Sequence, residues 1–329
     1  MSTIANDRIV VLGQRAHAIP VERYASAIGE RLPEYDVVTA ATAADERRLL
    51  PDASIATGLR IDESLLSRAA QLRLFACGSA GIGHLPMDAL AERDVAVTNA
   101  SGVHGPNIAE HVIGWILMFA RRLDEGMRRK QRGVWQHFQA HELRGSTVTV
   151  VGLGPIGESI VERLEPFGVD TIGVRYTPEK GGPTDEVIGF DEDDVEDALV
   201  RTDYLVLACP LTETTEGLVD GTALRRLPPD SVLVNVGRGP IVDTDALVTA
   251  LRRNELRGAA LDVTDPEPLP QGHPLWSFEN VQITPHSSGH TPEYYARTAD
   301  ILAENVERIA ETGSYDGLRN QVLAPSDER

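Results

Sequence analysis

Three polar side chains in the second half of the chain have the types that acid–base chemistry on an anion requires. His286 follows a strand-like run, Glu267 lies among prolines, and Arg238 stands between two glycines. Histidine is the natural proton donor near neutral pH, and a neighbouring carboxylate favours its protonated form. A guanidinium binds carboxylates through two parallel hydrogen bonds. These residue types indicate a site where a proton moves beside a bound carboxylate.

A glycine-rich turn in the middle of the chain predicts a dinucleotide site. The segment 152–157 reads GLGPIG, follows the apolar run 148–151 and opens a helical stretch. In this setting the first glycine makes the turn, the second admits a pyrophosphate and the third lets helix and strand pack closely. Backbone N–H groups at the helix start then face the phosphates. The predicted binding residues of this turn are Gly152, Gly154, Pro155, Ile156 and Gly157.

The residues after the next strand favour NADP(H) over NAD(H). An NAD site needs an acidic residue at the end of that strand, but Asp170 lies at its start. Arg175 occupies the discriminating position, followed by Tyr176 and Thr177. A guanidinium there can pair with a 2′-phosphate, and a threonine hydroxyl can add a hydrogen bond. The competing interpretation is an ordinary exposed arginine in a loop.

Short apolar runs alternate with amphipathic stretches along the whole chain, which is typical of an α/β protein. A first series of strands is predicted at 8–13, 35–40, 54–59, 72–78 and 94–99. A long helical stretch at 107–123 separates it from a second series at 147–154, 169–174, 203–209, 231–236, 257–263 and 281–285. A last helix is expected from Thr291 to about Thr312. We therefore expect two Rossmann-like domains. One, at 103–291, has a doubly wound parallel sheet and is inserted into the other, at 1–102 and 292–329.

Several segments in this order carry a family resemblance. They are the glycine turn and the runs 78–85, 236–243, 262–269 and 284–289. Together they resemble the D-isomer-specific 2-hydroxyacid dehydrogenase family, most closely its glyoxylate/hydroxypyruvate reductase branch, over essentially the whole chain. Gly83 replaces the acidic residue usual in the early segment, and Glu267 disfavours the formate dehydrogenase branch, which has Gln there.

The resemblance implies a role for each polar side chain. His286 is the general acid/base, Glu267 orients it, and Arg238 binds the substrate carboxylate and carbonyl. His290, four residues after His286, is a weaker alternative for the acid. The resemblance also implies a flavodoxin-like substrate domain with binding residues Ser79, Ala80 and Gly81, and further cofactor contacts at Cys209, Pro210, Val236, Gly237 and Asp262.

The expected activity is reduction of 2-oxoacids to D-2-hydroxyacids with NADPH, reversibly, with NAD(H) as a second cofactor. One alternative is a dinucleotide-sensing interaction protein of the same family. Another is a dehydrogenase of the phosphoglycerate or phosphite type, although no extra cationic side chains for a phosphate were identified. The resemblance further implies a homodimer built through the nucleotide domain, including the region Lys130–Trp135.

Composition excludes several classes of protein. The 329 residues include 50 acidic and 31 basic side chains, a net charge of −19, and only Lys130 and Lys180 are lysines. Such a chain repels nucleic acids, and it has no apolar run long enough to span a membrane. Its N-terminus lacks the features of a signal peptide, and its two cysteines fit a reduced compartment, so a cytoplasmic location is expected.

The acidic, lysine-poor composition favours a halophilic, haloarchaeal source, because high salt screens repulsion between surface carboxylates. GC-rich coding with ordinary acidic drift is the other explanation. The acidic stretch 191–197 is interpreted as a solvated helix start, and no metal site is expected.

Overall fold

The computed structural model describes residues 8–326. The ends of the first predicted domain, at 1–7 and 327–329, lie outside the described residues, as do the first residues on which the signal-peptide prediction rests. The chain forms two compact units, Met1–Val103 with His290–Arg329, and His104–Gly289.

The first unit begins with a strand–helix series. Its parallel strands are β1 (Arg8–Leu12), β2 (Asp36–Ala40), β3 (Ile55–Gly58), β4 (Leu74–Cys77) and β5 (Ala96–Thr98). The helices between them are α1 (Val21–Arg31), α2 (Ala43–Leu49), α3 (Glu63–Leu66) and α4 (Met87–Ala91). The strands are rich in β-branched and small apolar residues, which suits a sheet covered on both faces.

The second unit begins with two helices, α5 (Gly105–Arg121) and α6 (Leu123–Gln131). Its parallel strands are β6 (Thr147–Val151), β7 (Asp170–Val174), β8 (Glu186–Ile188), β9 (Tyr204–Leu207), β10 (Val232–Asn235), β11 (Gly258–Leu261) and β12 (Val281–Ile283). The remaining helices are α7 (Pro155–Leu164), α8 (Glu192–Leu199), α9 (Gly221–Arg226) and α10 (Thr244–Arg252). The chain then returns to the first unit as α11 (Tyr294–Thr312) and β13 (Gln321–Leu323), which is antiparallel to β5.

The strand order in each sheet locates its ligand-binding edge. The first sheet has the order β13-β5-β4-β3-β1-β2, and the second has β12-β11-β10-β9-β6-β7-β8. The second order reverses between β6 and β9, and ligands of open α/β sheets bind outside the carboxyl ends of strands at such a switch point. The glycine turn follows β6, so the fold places it at this position. The predicted α/β fold with two parallel sheets is confirmed.

Apolar side chains cover both faces of each sheet. In the second unit, one cluster packs α5 and α7 on one face, and another packs α10 on the opposite face. In the first unit, α1 and α11 cover one face, where Ile28 and Val306 are fully buried. Burial of this kind is the main favourable contribution to folding, and it fixes the strand ends that carry the polar residues.

The observed elements differ from the predicted ones in several places. The helix expected at 107–123 is α5 (Gly105–Arg121), which ends where Arg122 adopts a left-handed backbone conformation (φ 50°), and the following helix α6 was not predicted. The last helix starts at Tyr294 instead of Thr291, since the Thr291 hydroxyl accepts the N–H of Glu293 in a local turn. The short strands β8 and β13 were not predicted. Within residues 8–326, no helix combines the length and the apolar character needed to cross a membrane.

Candidate active site

The glycine turn after β6 is built as the fingerprint requires. Gly152 has a φ of +100°, which side chains rarely adopt, and a Cβ there would lie 2.7 Å from the backbone of Cys209 after β9. A Cβ at Gly157 would lie 2.0 Å from the Gly152 carbonyl oxygen, so this position of α7 accepts only glycine. Gly154 faces open space at the start of α7. The turn therefore offers backbone N–H groups of a ten-residue helix to a phosphate.

A cavity of about 290 Å³ adjoins this turn. Its lining includes seven of the predicted cofactor residues, namely Gly152, Gly154, Arg175, Tyr176, Thr177, Cys209 and Pro210. The other predicted cofactor residues are not among its lining residues in the described chain; these are Pro155, Ile156, Gly157, Val236, Gly237 and Asp262. Burial raises the pKa of the Cys209 thiol to about 11, so this side chain is a neutral wall of the cavity at physiological pH.

Arg175 is held at the rim of that cavity. Its Nη1 donates to the Gly181 carbonyl and lies 3.7 Å from Oε1 of Glu158, and the side chain is 18% exposed. Lys180, one of the two lysines of the chain, lines the same cavity and was not predicted as a site residue. Its signal was the presence of a rare lysine five residues after Arg175. The cavity thus has two cationic side chains and one nearby carboxylate.

His286 and Glu267 are paired directly. The distance between His286 Nδ1 and Glu267 Oε1 is 2.6 Å, and the two side chains are 49% and 42% exposed. The carboxylate accepts a hydrogen bond from Nδ1–H, so Nε2 is left free to exchange a proton with a ligand. His286 has a φ of +49°, and such left-handed conformations of non-glycine residues concentrate at functional sites.

Asp262 holds the loop that carries His286. It is 2% exposed and accepts hydrogen bonds from the Thr284 hydroxyl, the Ser287 N–H (2.8 Å), and both the N–H (3.0 Å) and the hydroxyl of Ser288. Its carbonyl accepts the His286 N–H at 2.8 Å. Burial alone would raise the pKa of Asp262, but the hydrogen bonds from Ser288, Thr284 and Ser287 outweigh it and lower that pKa. The predicted cofactor contact of Asp262 stays a prediction, and the observed contacts make it a positioning residue.

Arg238 lies on a turn whose two flanking positions have no room for a side chain. A Cβ at Gly237 would lie 2.8 Å from the Cys209 carbonyl oxygen, and one at Gly239 would lie 2.0 Å from that of Thr264. The Arg238 side chain is exposed, and its Nη1 donates to the Gly237 carbonyl at 2.7 Å. Within residues 8–326 it forms no salt bridge, so its charge is available to an anionic ligand.

In the first unit, the loop after β4 turns its N–H groups outward. Three successive carbonyls are held from within the unit: Gly78 by the Tyr294 hydroxyl, Ser79 by the Ala100 N–H at 3.1 Å, and Ala80 by the Asn99 amide at 2.7 Å. Since the C=O and the next N–H of a trans peptide point in opposite directions, the N–H groups of Ala80 and Gly81 face away from these partners. In the described chain neither N–H donates a hydrogen bond. Adjacent free N–H groups form an anion-binding concavity.

The residues that hold these loops were not predicted from the sequence. Asn99 and Tyr294 fix the loop at 79–81, and Thr284, Ser287 and Ser288 bind Asp262. Small polar residues directly after His286 were the available signal for the second group. The first group gave no signal, because both residues lie far from the loop along the chain.

The acidic stretch 191–197 forms the capped start of α8, and residues 8–326 contain no cluster of metal-ligating side chains.

Comparisons with known proteins identify the family to which this chain is similar. The family described as "D-isomer specific 2-hydroxyacid dehydrogenase, NAD binding domain" matches residues 113–288. The glyoxylate reductase of Thermofilum pendens is 34% identical over 254 residues, which cover 75% of this chain and 74% of that protein. The human glyoxylate reductase/hydroxypyruvate reductase is 34% identical over 74% of this chain and 76% of its own length. The D-3-phosphoglycerate dehydrogenase of Methanocaldococcus jannaschii is 29% identical over 94% of this chain but only 60% of its own length.

Solved structures of dehydrogenases are also similar to this chain. A D-isomer specific 2-hydroxyacid dehydrogenase from Xanthobacter autotrophicus Py2, in complex with NADPH and MES, aligns with a TM-score of 0.76 and 28% identity over 96% of this chain and 98% of its own. An NAD-dependent formate dehydrogenase from Staphylococcus aureus, in complex with NAD, aligns with a TM-score of 0.72 and 27% identity over 97% and 99%. With the family match covering more than half of its residues, the chain belongs to the D-isomer-specific 2-hydroxyacid dehydrogenase family of oxidoreductases.

Proposed function

We propose that the protein reduces 2-oxoacids to D-2-hydroxyacids with NADPH. The observation that carries this proposal is the 2.6 Å pair of His286 and Glu267, an imidazole with a fixed carboxylate partner and a free Nε2. The similarity to glyoxylate reductases supports a small 2-oxoacid as the substrate class. The bound dihydronicotinamide would supply the hydride.

The protein would supply the proton and the electrostatic stabilisation. His286 protonates the carbonyl oxygen from Nε2 as the carbonyl carbon is reduced, and the Glu267 carboxylate stabilises the imidazolium before the transfer. Arg238 binds the substrate carboxylate and polarises the adjacent carbonyl. The outward N–H groups of Ala80 and Gly81 are proposed to bind a carboxylate oxygen as well. In the reverse direction, His286 accepts the hydroxyl proton.

The preference for NADPH rests on the cationic rim of the cavity beside the glycine turn. Arg175 and Lys180 both line it, and Thr177 adds a hydroxyl. A 2′-phosphate would be bound by two cations, whereas a 2′-hydroxyl would meet no carboxylate at the end of β7. Glu158, 3.7 Å from Arg175, holds the guanidinium in place, and NADH remains the weaker cofactor.

We also propose that the chain forms a homodimer through the segment that follows α6. A groove of about 770 Å³ is lined there by Arg129, Val134, Trp135 and Phe138, among others. The Trp135 side chain is 99% exposed, and Val134 is 44% exposed. Large exposed aromatic groups of this kind are enriched at protein–protein interfaces. Trp135→Ala should shift the mass measured by light scattering from dimer to monomer.

Steady-state kinetics in molar KCl test the proposed activity. Glyoxylate, hydroxypyruvate, pyruvate, 2-oxobutyrate and 3-phosphohydroxypyruvate are each assayed with NADPH and with NADH, and the configuration of the product is determined on a chiral column. The proposal predicts turnover of an unphosphorylated 2-oxoacid, a D product and a higher kcat/KM with NADPH. Turnover of the phosphorylated substrate alone, or of none, would contradict it.

A further inference from the structure

The first unit contains a stacked pair of histidines that the mechanism above does not use. The rings of His17 and His290 are 4.6 Å apart between centroids, with an interplanar angle of 19°. His17 also lies against the ring of Tyr294, at 4.4 Å and 45°. His290 is exposed, and within residues 8–326 its ring nitrogens have no hydrogen-bond partner. Its imidazole edge is therefore available to a ligand.

The loop that carries His17 is held in a conformation that non-glycine residues disfavour. His17 and Ala18 have φ values of 52° and 58°, both in the left-handed region. The Ala16 N–H donates to the hydroxyl of buried Tyr295 at 3.0 Å, which anchors the loop just before His17. Observed outliers of this kind point to a functional demand on the loop, here the placement of one ring on another.

Tyr294 connects the histidines to the proposed substrate loop. The Tyr294 hydroxyl donates to the Gly78 carbonyl, directly before Ser79–Gly81, while its ring contacts His17. Burial and the proximity of His290 lower the pKa of His17, so His17 is a neutral ring on which His290 can stack. His290 therefore stacks on His17, and His17 contacts Tyr294, which holds the loop with the proposed carboxylate-binding N–H groups.

We propose that His290, held by stacking on His17, is a specificity-determining residue that hydrogen-bonds the substituent on C3 of the 2-oxoacid. The substrate class is then 2-oxoacids with a hydrogen-bonding group on C3, in preference to those with an apolar group there. A site built to bond such a group rejects the analogue that lacks it, because its polar atoms are left unpaired. This inference rests on the proposed 2-oxoacid reductase activity.

A matched pair of substrates tests it. Hydroxypyruvate and 2-oxobutyrate differ by a hydroxyl in place of a methyl group on C3, so the ratio of their kcat/KM values isolates this contact. We expect the wild type to favour hydroxypyruvate by at least about tenfold. His290→Leu should lower that ratio about tenfold or more by reducing kcat/KM for hydroxypyruvate alone, and His290→Gln, which keeps a hydrogen-bonding side chain, should retain part of it.

Tyr294→Phe serves as the matched control for positioning. It removes the hydroxyl that holds the Gly78 carbonyl, so it should lower kcat/KM for both substrates by a similar factor and leave their ratio unchanged. A wild-type ratio near one or below, or an unchanged ratio in a folded His290→Leu variant, overturns the inference while the reductase activity stands. Absence of turnover with every 2-oxoacid contradicts the proposed function as well.

Discussion

At the scale of residues, the position and the contacts of Arg175 determine which cofactor we expect the protein to prefer. Arg175 follows β7 at the position where an acidic residue would bind a ribose hydroxyl, and its guanidinium is fixed by the Gly181 carbonyl and Glu158. Arginine keeps its charge at every physiological pH and presents a rigid fork of donors. At this scale, the proposed preference for NADPH depends on one residue type.

Arg175→Asp should reverse the cofactor preference. The variant loses charge-assisted hydrogen bonds to the 2′-phosphate and places a carboxylate where it repels that group and accepts a ribose hydroxyl. We expect the ratio of kcat/KM for NADPH to that for NADH to fall by about tenfold to a hundredfold. Arg253→Asp, at an exposed position of the same unit, is the control for a simple change of charge. An unchanged ratio in the Arg175 variant would show that Arg175 is not the selector.

At the scale of elements, α7 packs so closely against the glycine turn that position 157 has no room for a side chain. Gly157→Ala would place a methyl group 2.0 Å from the Gly152 carbonyl oxygen, so α7 must shift away from the turn. We expect a loss of about 2–3 kcal/mol of stability and weaker NADPH binding, measured by denaturant titration and calorimetry. Gly114→Ala, at an exposed position of α5 with open space around it, should instead stabilise the protein by about 0.5–1 kcal/mol. Equal effects of the two variants would contradict this reading of the turn.

The loop that carries His286 depends on Asp262 in a similar way. Asp262→Asn replaces a charged acceptor of four hydrogen bonds by a neutral one, and we expect a loss of about 2–3 kcal/mol together with a lower kcat. Asp265→Asn, at an exposed position nearby, should change neither quantity. A wild-type melting temperature in the Asp262 variant would show that the network does not hold the loop.

The stability that Asp262 provides should depend on pH with a definite sign. Its folded-state pKa is lowered, so the unfolded state binds the proton first as the pH falls. The contribution is therefore complete above the unfolded pKa of about 3.9 and is lost as the pH falls through the folded-state value. Denaturant titrations should show the difference between wild type and Asp262→Asn constant near neutral pH and shrinking only below about pH 4. A difference that shrinks near pH 6 would point to a histidine instead.

The elements differ in how far sequence could predict them. Most strands of both sheets were predictable because β-branched runs such as 147–151 are buried on both faces and bounded by glycine or polar residues. The helix α6 was not predicted, because Leu123–Gln131 is mostly charged and has few apolar residues. Glu267, His286 and Arg238 were chosen through a family resemblance, and the structure shows that the first two are paired. The hydrogen bonds by which Asn99 and Tyr294 fix the loop at 79–81 could not be predicted, because they join residues that are distant along the chain.

The whole molecule carries a charge that would oppose the binding of the proposed ligands. A net charge of −19 would repel both an anionic cofactor and a 2-oxoacid, so the proposed contacts of Arg238, Arg175 and Lys180 would have to act within an unfavourable field. Salt shortens the range of that field, from about 10 Å at 0.1 M to about 3 Å at 1 M. The same screening weakens exposed ion pairs such as Arg8–Asp36, but these contribute little to stability in any case.

Stability and binding should therefore both increase with salt. Between about 0.1 M and 2 M KCl we expect the melting temperature to rise by at least about 5 °C, and KM for NADPH to fall or stay constant. A variant with the exposed residues Glu192, Asp193 and Asp194 changed to their amides should show a smaller rise. Full stability at low salt with no gain in KCl would mean that the acidic surface is not an adaptation to salt.

The measurement that tests the central claim most directly is NADPH oxidation by the wild type and by His286→Ala, side by side, with the best 2-oxoacid in molar KCl. His273→Ala, in the same unit but without a carboxylate partner among the described residues, controls for loss of a histidine. We predict that His286→Ala lowers kcat by about a hundredfold to ten-thousandfold while NADPH binding is unchanged, as expected for a general acid. Near-normal turnover in a folded His286→Ala enzyme would contradict the account.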